Sequence, residues 1–492
     1  MTQSSITQVL SLPVSAAGNS AAFAAGNRLR GLRRSIRTTP GLLRASLAGL
    51  WMLVVFFAWS ASVTIERHRQ EMQSIGKDSA PSIIAAQSIK LNIAQLHGDV
   101  IRQFLGSPLQ ATEAAAQARV LRQKVSGGLL NAATNITYGD AERVPIQNLL
   151  DGLSEYDDSI ARAEALHRHG ADEYLPPLRD ATSILDQKLC PAADALDKAN
   201  QDSLTYAYTQ DQSTAQWSTV LMVICGIAIL AGLLGVQLLI QRRMHRRISI
   251  PLVSAALLAL IWTGWLVAVM QSETADLKTA KEDAFDSIGA MSRARSAVFN
   301  AQSHLAMSLL DPQSAASARQ VFADDSSDLA RFSNGQSFES VQTAIDRAVE
   351  SSGSDITLKA GSLPAGFEGY LAAELNNITF ERERDAAVDL FRQYTHYEQI
   401  ARKVQETDHA GLHALAAGLC LGDAADEAGG ALKAVDSDLD QILSINQREF
   451  DAAVERGFGE VSGLELWNYG IAAAAALLVY LVMAKRMAEY QV

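Results

Sequence analysis

The residues of this 492-residue chain that could do chemistry fall into a few small groupings. His167 and His169 form a His-x-His with Asp172 and Glu173 close behind. Imidazole and carboxylate together suit zinc, though a solvated polar turn has the same composition. His409 and His413 are four apart, a spacing that puts two side chains on one helical face as a ligand pair or a plain surface pair. Arg67, Arg69 and Arg102 could hold carboxylates bidentately, or serve as solvated or snorkelling charges. Asn200 and Asn446 sit on apolar seams, where a buried amide fixes register between helices. Asn135 and Asn377 open Asn-Ile-Thr sequences, and their amides are expected to cap a turn. There is no His-Glu-x-x-His, no phosphate-cradling glycine loop and no Gly-x-Ser-x-Gly. Cys190, Cys225 and Cys420 give neither a disulfide framework nor a metal spacing. The sequence names no catalytic, metal or cofactor-binding residue, and no enzyme is expected.

The elements that must position these residues are set by the bilayer. Four uncharged runs, Ala45–Ile65, Gln212–Gln241, Ile248–Ser272 and Leu466–Ala484, each reach the roughly 20 residues that a helix needs to cross a hydrocarbon core. Trp51, Trp59, Trp217, Trp262, Trp265 and Trp467 all lie in or beside these runs, and indole rings favour the headgroup level. A cleaved signal peptide is the other reading of the first run. Its 21 residues and the 44 before it favour an uncleaved anchor. No span carries a charged residue, which argues against a transport path. Ala228, Ala231, Gly232, Gly235 and Ala472 to Ala476 suit close helix packing.

Charge gives the expected orientation. Residues 1–65 hold six arginines and no acid, 241–247 hold four arginines, and the tail starts Lys485-Arg486. By the positive-inside rule these pieces face the cytoplasm. The segments 66–216 and 273–465 carry the whole acidic excess behind the net charge of −12, and nothing invites nucleic acid. The expected plan is a basic cytoplasmic arm (1–44) whose first 27 residues are too polar to fold. Spans at 45–65, 217–240, 249–271 and 466–484 follow, with a basic loop at 241–248 and a short tail at 485–492. Two extracytoplasmic domains complete it, at 66–216 and 272–465.

Anchor, exterior segment and anchor occur twice, and short matches recur in order. Asn135-Ile136-Thr137-Tyr138 echoes Asn377-Ile378-Thr379-Phe380, Tyr156 echoes Tyr397, and Asn200-Gln201 echoes Asn446-Gln447. We read an internal duplication. The second copy carries an extra, loop-like insertion at about 333–369. Apolar residues step by three and four, as in Ile146, Leu149, Leu153, Tyr156 and Ile160, so the fold class is all-α. Breakers at Gly106-Ser107-Pro108, Tyr138-Gly139-Asp140 and His169 to Pro177 predict four helices per copy, in an up-down bundle. Gly76 and Pro81 are expected to kink the first helix. The turns holding Gly106, Pro108, His169, Tyr174 and Pro176 are then outer tips, able to face a partner, and the Asn-Ile-Thr turn is membrane-proximal.

Two such units, the segment Asp78-Ser79-Ala80-Pro81-Ser82-Ile83-Ile84-Ala85-Ala86-Gln87 and the Asn-Ile-Thr-Tyr motif resemble the GlnX-type membrane proteins of actinobacteria, four-pass proteins with chemoreceptor-like bundles. The likeness covers residues 42–486, mostly as architecture. It implies a relay in which an exterior solute-binding lipoprotein senses acidic amino acids and a soluble cytoplasmic Ser/Thr kinase receives the state. The cytoplasmic pieces are too short to act alone, so Arg242, Arg243, Arg246 and Arg247 would contact either such an effector or anionic membrane lipids. The alternatives are a non-signalling envelope scaffold and a transporter-accessory protein. Breaks near Gly76 or between Gln210 and Gln216 would favour the scaffold.

Overall fold

A computed structural model describes residues 39–169, 172–244, 249–353, 355, 357–358, 361–461 and 463–488. The first 38 residues, Arg246 and Arg247 lie outside the described residues. The chain divides into a span unit (residues to 66, 215–270 and from 462) and a larger unit (67–214 and 271–461).

The first part of the chain forms α1 (Thr39–Gln73), α2 (Ala80–Leu105), α3 (Pro108–Thr134), α4 (Asp140–Arg168), α5 (Leu175–Ile184) and α6 (Cys190–Met244). The second part forms α7 (Ile250–Lys278), α8 (Asp286–Leu310), α9 (Ala315–Leu329), α10 (Phe338–Ser352), α11 (Tyr370–Asn377), α12 (Glu383–His409), α13 (His413–Leu421), α14 (Ala428–Val461) and α15 (Leu464–Ala488). The two-residue strands β1 (Arg331–Phe332) and β2 (Phe367–Glu368) pair antiparallel.

Among the described residues, four helices are long and apolar enough to cross a membrane. In the span unit they meet through small residues and polar contacts, among them a buried asparagine. A side chain at Gly232 would run into Leu50, and one at Gly226 into Thr263, so α6 lies close to α1 and α7. Asn468 of α15 is fully buried. Its Nδ2 donates to the Ala58 carbonyl at 2.8 Å and to Ser62 Oγ at 3.0 Å, and its Oδ1 accepts from Trp262 Nε1 at 3.2 Å. Trp262 also meets Phe57 edge-on at 4.5 Å. Met52, Val55, Ile224, Ile227, Leu257 and Leu481 point outward, as lipid contact requires.

In the larger unit, residues from both segments form one compact body. The helices α2 and α8 pack side by side at its centre. The physical reason is the helix surface. On α8, Ile288, Met291, Ala294, Val298, Leu305 and Met307 are buried together with Ser287, Ser296, Ser303 and His304, so it is covered on several faces rather than one stripe. Around this pair, α3 lies on α2, α9 and α14 on α8, and α12 on α14.

Some expectations change. The 333–369 insertion is not simply a loop. It contains α10, whose Val341, Ile345 and Ala348 are buried, with Ser337 capping its start. The second segment therefore has more than four helices. The expected kink at Gly76 is a π-helical stretch, Ser74–Ser79, and a second one, Thr279–Phe285, stands at the corresponding place before α8. Gly76 is needed there, because a Cβ would lie 2.5 Å from Val454 Cγ1. His409 and His413 do not share one helix: Ala410–Leu412 turns the chain, with Gly411 at φ +78°.

Candidate functional site

The Asn-Ile-Thr turns are built alike by a carboxylate that the sequence reading missed. Glu142, in the first turn of α4, accepts the backbone N–H groups of Thr137 (2.6 Å) and Tyr138 (2.7 Å) through Oε2. Glu383, in the first turn of α12, accepts those of Thr379 (2.7 Å) and Phe380 (2.9 Å). The turn's free donors and the positive end of each helix thus meet one buried anion. The asparagines do other work than the turn capping expected of them. Asn135 donates to Asn131 Oδ1 at 3.0 Å, whereas Asn377 reaches Asp283 O and Ser287 Oγ, both at 2.9 Å, and so holds the π-helical entry to α8.

The two seam asparagines differ. Asn446 donates to Glu383 Oε1 at 2.7 Å. Each also donates to its own helix, Asn200 to the Leu196 carbonyl at 3.0 Å and Asn446 to that of Ile442 at 3.2 Å, and no donor reaches the Oδ1 of either; only Asn200 lacks a bond to the turn's glutamate. Next to it lies a cavity of about 360 Å³ lined by Ser82, Asn131, Asn135, Thr137, Glu142 and Asn200. At the matching place in the second segment the carboxyl of Glu374 is buried beside Glu383. Burial first, then repulsion from Glu383, hold Glu374 well above the usual carboxylate range.

The seam between α2 and α8 carries a second polar group. His97 Nδ1 lies 3.1 Å from Tyr156 Oη, and its Nε2 lies 3.4 Å from Thr182 Oγ1. Burial, with help from nearby His304, pushes His97 down to about 3, so it stays neutral. His304 is raised: burial opposes its charge, but the bond to Asp186 (3.2 Å), that carboxylate's field and the Asn300 carbonyl (3.0 Å) outweigh it. Asn300 also donates to Asp325 at 2.8 Å, and burial pushes the Asp325 carboxyl up to about 7. This group can hold or release a proton near neutrality.

Toward the far end of the seam a cavity of about 230 Å³ is lined by Asp99, Arg102, Gln302, Cys420, Asp423 and Lys433. Burial pushes Asp99 up to about 6 against the pull of Arg102. Arg102 Nη2 is 3.6 Å from Asp423 and Lys433 Nζ is 3.0 Å from it, so a carboxylate ligand here would have to displace Asp423.

The expected tips are close to one another in part. Gly106 ends α2, and Pro108 starts α3 after Ser107, whose N–H donates to Gln110 at 3.0 Å. His169 ends α4, and Pro176 is exposed in α5. Tyr174 stacks on Phe104 at 5.3 Å, and His167 meets both rings edge-on, which commits His167 to an aromatic cluster. Among the described residues, no three His, Cys, Asp or Glu side chains converge as a metal group. Arg242 is exposed at the end of α6, and Arg243 follows it in the same helix.

Residues 71–209 match the family model of an actinobacterial sensor domain, a stretch that includes α2 to α5, the Glu142 turn and Asn200. Neither a curated protein nor a solved structure matches the chain. The match supports a bacterial sensor protein, and with four membrane-length helices it fits a multi-pass membrane protein with a sensing or signalling role.

Proposed function

We propose that this protein is a transmembrane transducer of the GlnX type. In this reading the duplicated helical segments stand outside the bacterial cytoplasmic membrane, both termini are cytoplasmic, and an Asp/Glu-binding lipoprotein docks on the outer tips. The state it reports passes to a soluble cytoplasmic Ser/Thr kinase or similar effector, and the protein itself catalyses nothing. The observation that carries the reading is the sensor-domain match on a segment whose first and last helices run on into membrane-length helices. Helix α6 is unbroken for 55 residues through 210–216, and the chain stays helical through Gly76. A sliding or rotation of such helices is a known means of carrying a shift. Leu109, at the start of α3 beside the Gly106–Pro108 turn, is exposed, which suits a docking partner.

The test is replacement of Arg242, Arg243, Arg246 and Arg247 by Ser in a chain whose topology is checked by reporter fusions. Phosphoprotein output is followed in cells given and denied external glutamate. The reading expects the glutamate response to be lost. An unchanged response, or a reporter placing 241–248 outside the cell, would overturn it.

A further inference from the structure

We infer that the first segment holds a binding site for a primary ammonium group on a small aliphatic body, between Glu142 and Asn200. This site needs neither the lipoprotein nor the kinase of the preceding reading.

The second segment uses the same groups differently. There, Glu383 takes the Asn446 amide at 2.7 Å, and Glu374 fills the space beside it. In the first segment, Ala132 stands three residues before Asn135, where Glu374 stands three before Asn377. The smaller side chain leaves the 360 Å³ cavity open. Asn200 turns its amide N–H to its own helix, so nothing joins it to Glu142. The result is an asymmetry of acceptors over donors. Asn200 is 2% exposed with a bare carbonyl oxygen, as Asn446 has in the second segment, but here that oxygen lies on an open cavity; Glu142 is 3% exposed with two backbone N–H groups and, among the described residues, no cation within 4 Å. A buried carbonyl and carboxylate without such partners favour a ligand that brings donors and positive charge. The ammonium group supplies three donors and one charge. The opposite wall, Pro81, Ala85, Ile146 and Leu196, is apolar and suits a methylene body.

A primary ammonium could come from a free amine or from a phosphatidylethanolamine headgroup. The full-length protein is therefore placed in nanodiscs of phosphatidylcholine and phosphatidylglycerol, which lack that group, and titrated calorimetrically with putrescine. One saturable site per chain is expected. Glu142→Gln, which keeps an acceptor for the turn, should weaken it at least tenfold, and Ala132→Leu, which fills the cavity, should abolish it. Unfolding midpoints confirm that the variants fold, and Ala132→Leu carries the test should Glu142→Gln fail to. In a second arm, native mass spectrometry of protein from phosphatidylethanolamine discs reads retained lipid. Retention lost in Ala132→Leu would assign the ammonium to a lipid. Absence of saturable binding in both arms, or binding that the folded variants leave unchanged, would overturn the inference.

Discussion

Arg179 grips Asp311 with two parallel bonds, Nε to Oδ2 at 2.8 Å and Nη2 to Oδ1 at 3.0 Å. The pair ties α5 of the first segment to the end of α8 in the second. Asp311 is 1% exposed, so its charge depends on that fork.

Removing Arg179 therefore leaves a buried acid without its partner. Arg179→Ala should cost about 1–3 kcal/mol, less than a fully buried pair because the arginine is partly solvated. Although burial raises it, the bonds from Arg179, Ser314 and the Gln313 N–H bring Asp311 below its ordinary value. That part of the stability is present above the unfolded carboxylate range and is lost as pH falls through it. Denaturant unfolding at pH 7 and pH 3 should show the Arg179→Ala defect shrinking at the lower pH.

Glu374 has the opposite sign. Its folded form keeps the proton that an unfolded glutamate gives up near pH 4.3. Stability should therefore fall as pH rises from the ordinary carboxylate range to above neutrality. Glu374→Gln keeps the shape without the charge. It is expected to gain about 1–3 kcal/mol at pH 8 and little at pH 4. An equal effect at both pH values in thermal unfolding would contradict the buried-proton account.

His97 predicts an acid limb. It is neutral when folded, held at about 3, while an unfolded histidine takes a proton near pH 6.5. This contribution is full above pH 6.5 and falls by about 2 kcal/mol between pH 6.5 and pH 5. His97→Gln should flatten that limb in an equilibrium unfolding series. His304, raised by Asp186, contributes with the reverse sign, so His304→Gln should steepen it.

Asn468 predicts how the spans hold together. Asn468→Ala removes three interhelical bonds, to Ala58, Ser62 and Trp262. Membrane hydrogen bonds are individually modest, so a loss of about 1–2 kcal/mol is expected in detergent-driven unfolding.

Much of the fold was legible because helix periodicity and bilayer length are local properties. The four spans, the stripes on α4 and α14, and the breakers at Gly106 and Gly139 could be read residue by residue. The packing of α2 on α8 could not, since His97 and His304 look like surface histidines until their partners are known. The Glu142 and Glu383 clamps escaped because they stand seven and six residues after their asparagines, so an ungapped comparison does not align them. Helix α10 was hidden by flanking Gly, Ser and Pro, although Phe338, Val341, Ile345 and Val349 already step as a helix. His413 was paired with His409 by spacing alone, but it bonds Asp408 across the Gly411 turn.

Both segments form one body along the α2–α8 seam, and one crosslink measures it. A Cβ at Gly98 would lie 3.8 Å from Ser303 Cβ, close to the mean for a disulfide. The measurement is disulfide yield in Gly98→Cys/Ser303→Cys, with Cys190, Cys225 and Cys420 replaced by Ala, read by non-reducing peptide mapping after mild oxidation in the membrane. Near-complete formation of the 98–303 bond within each chain is expected. Two free thiols, both open to maleimide and unlinked, would contradict it.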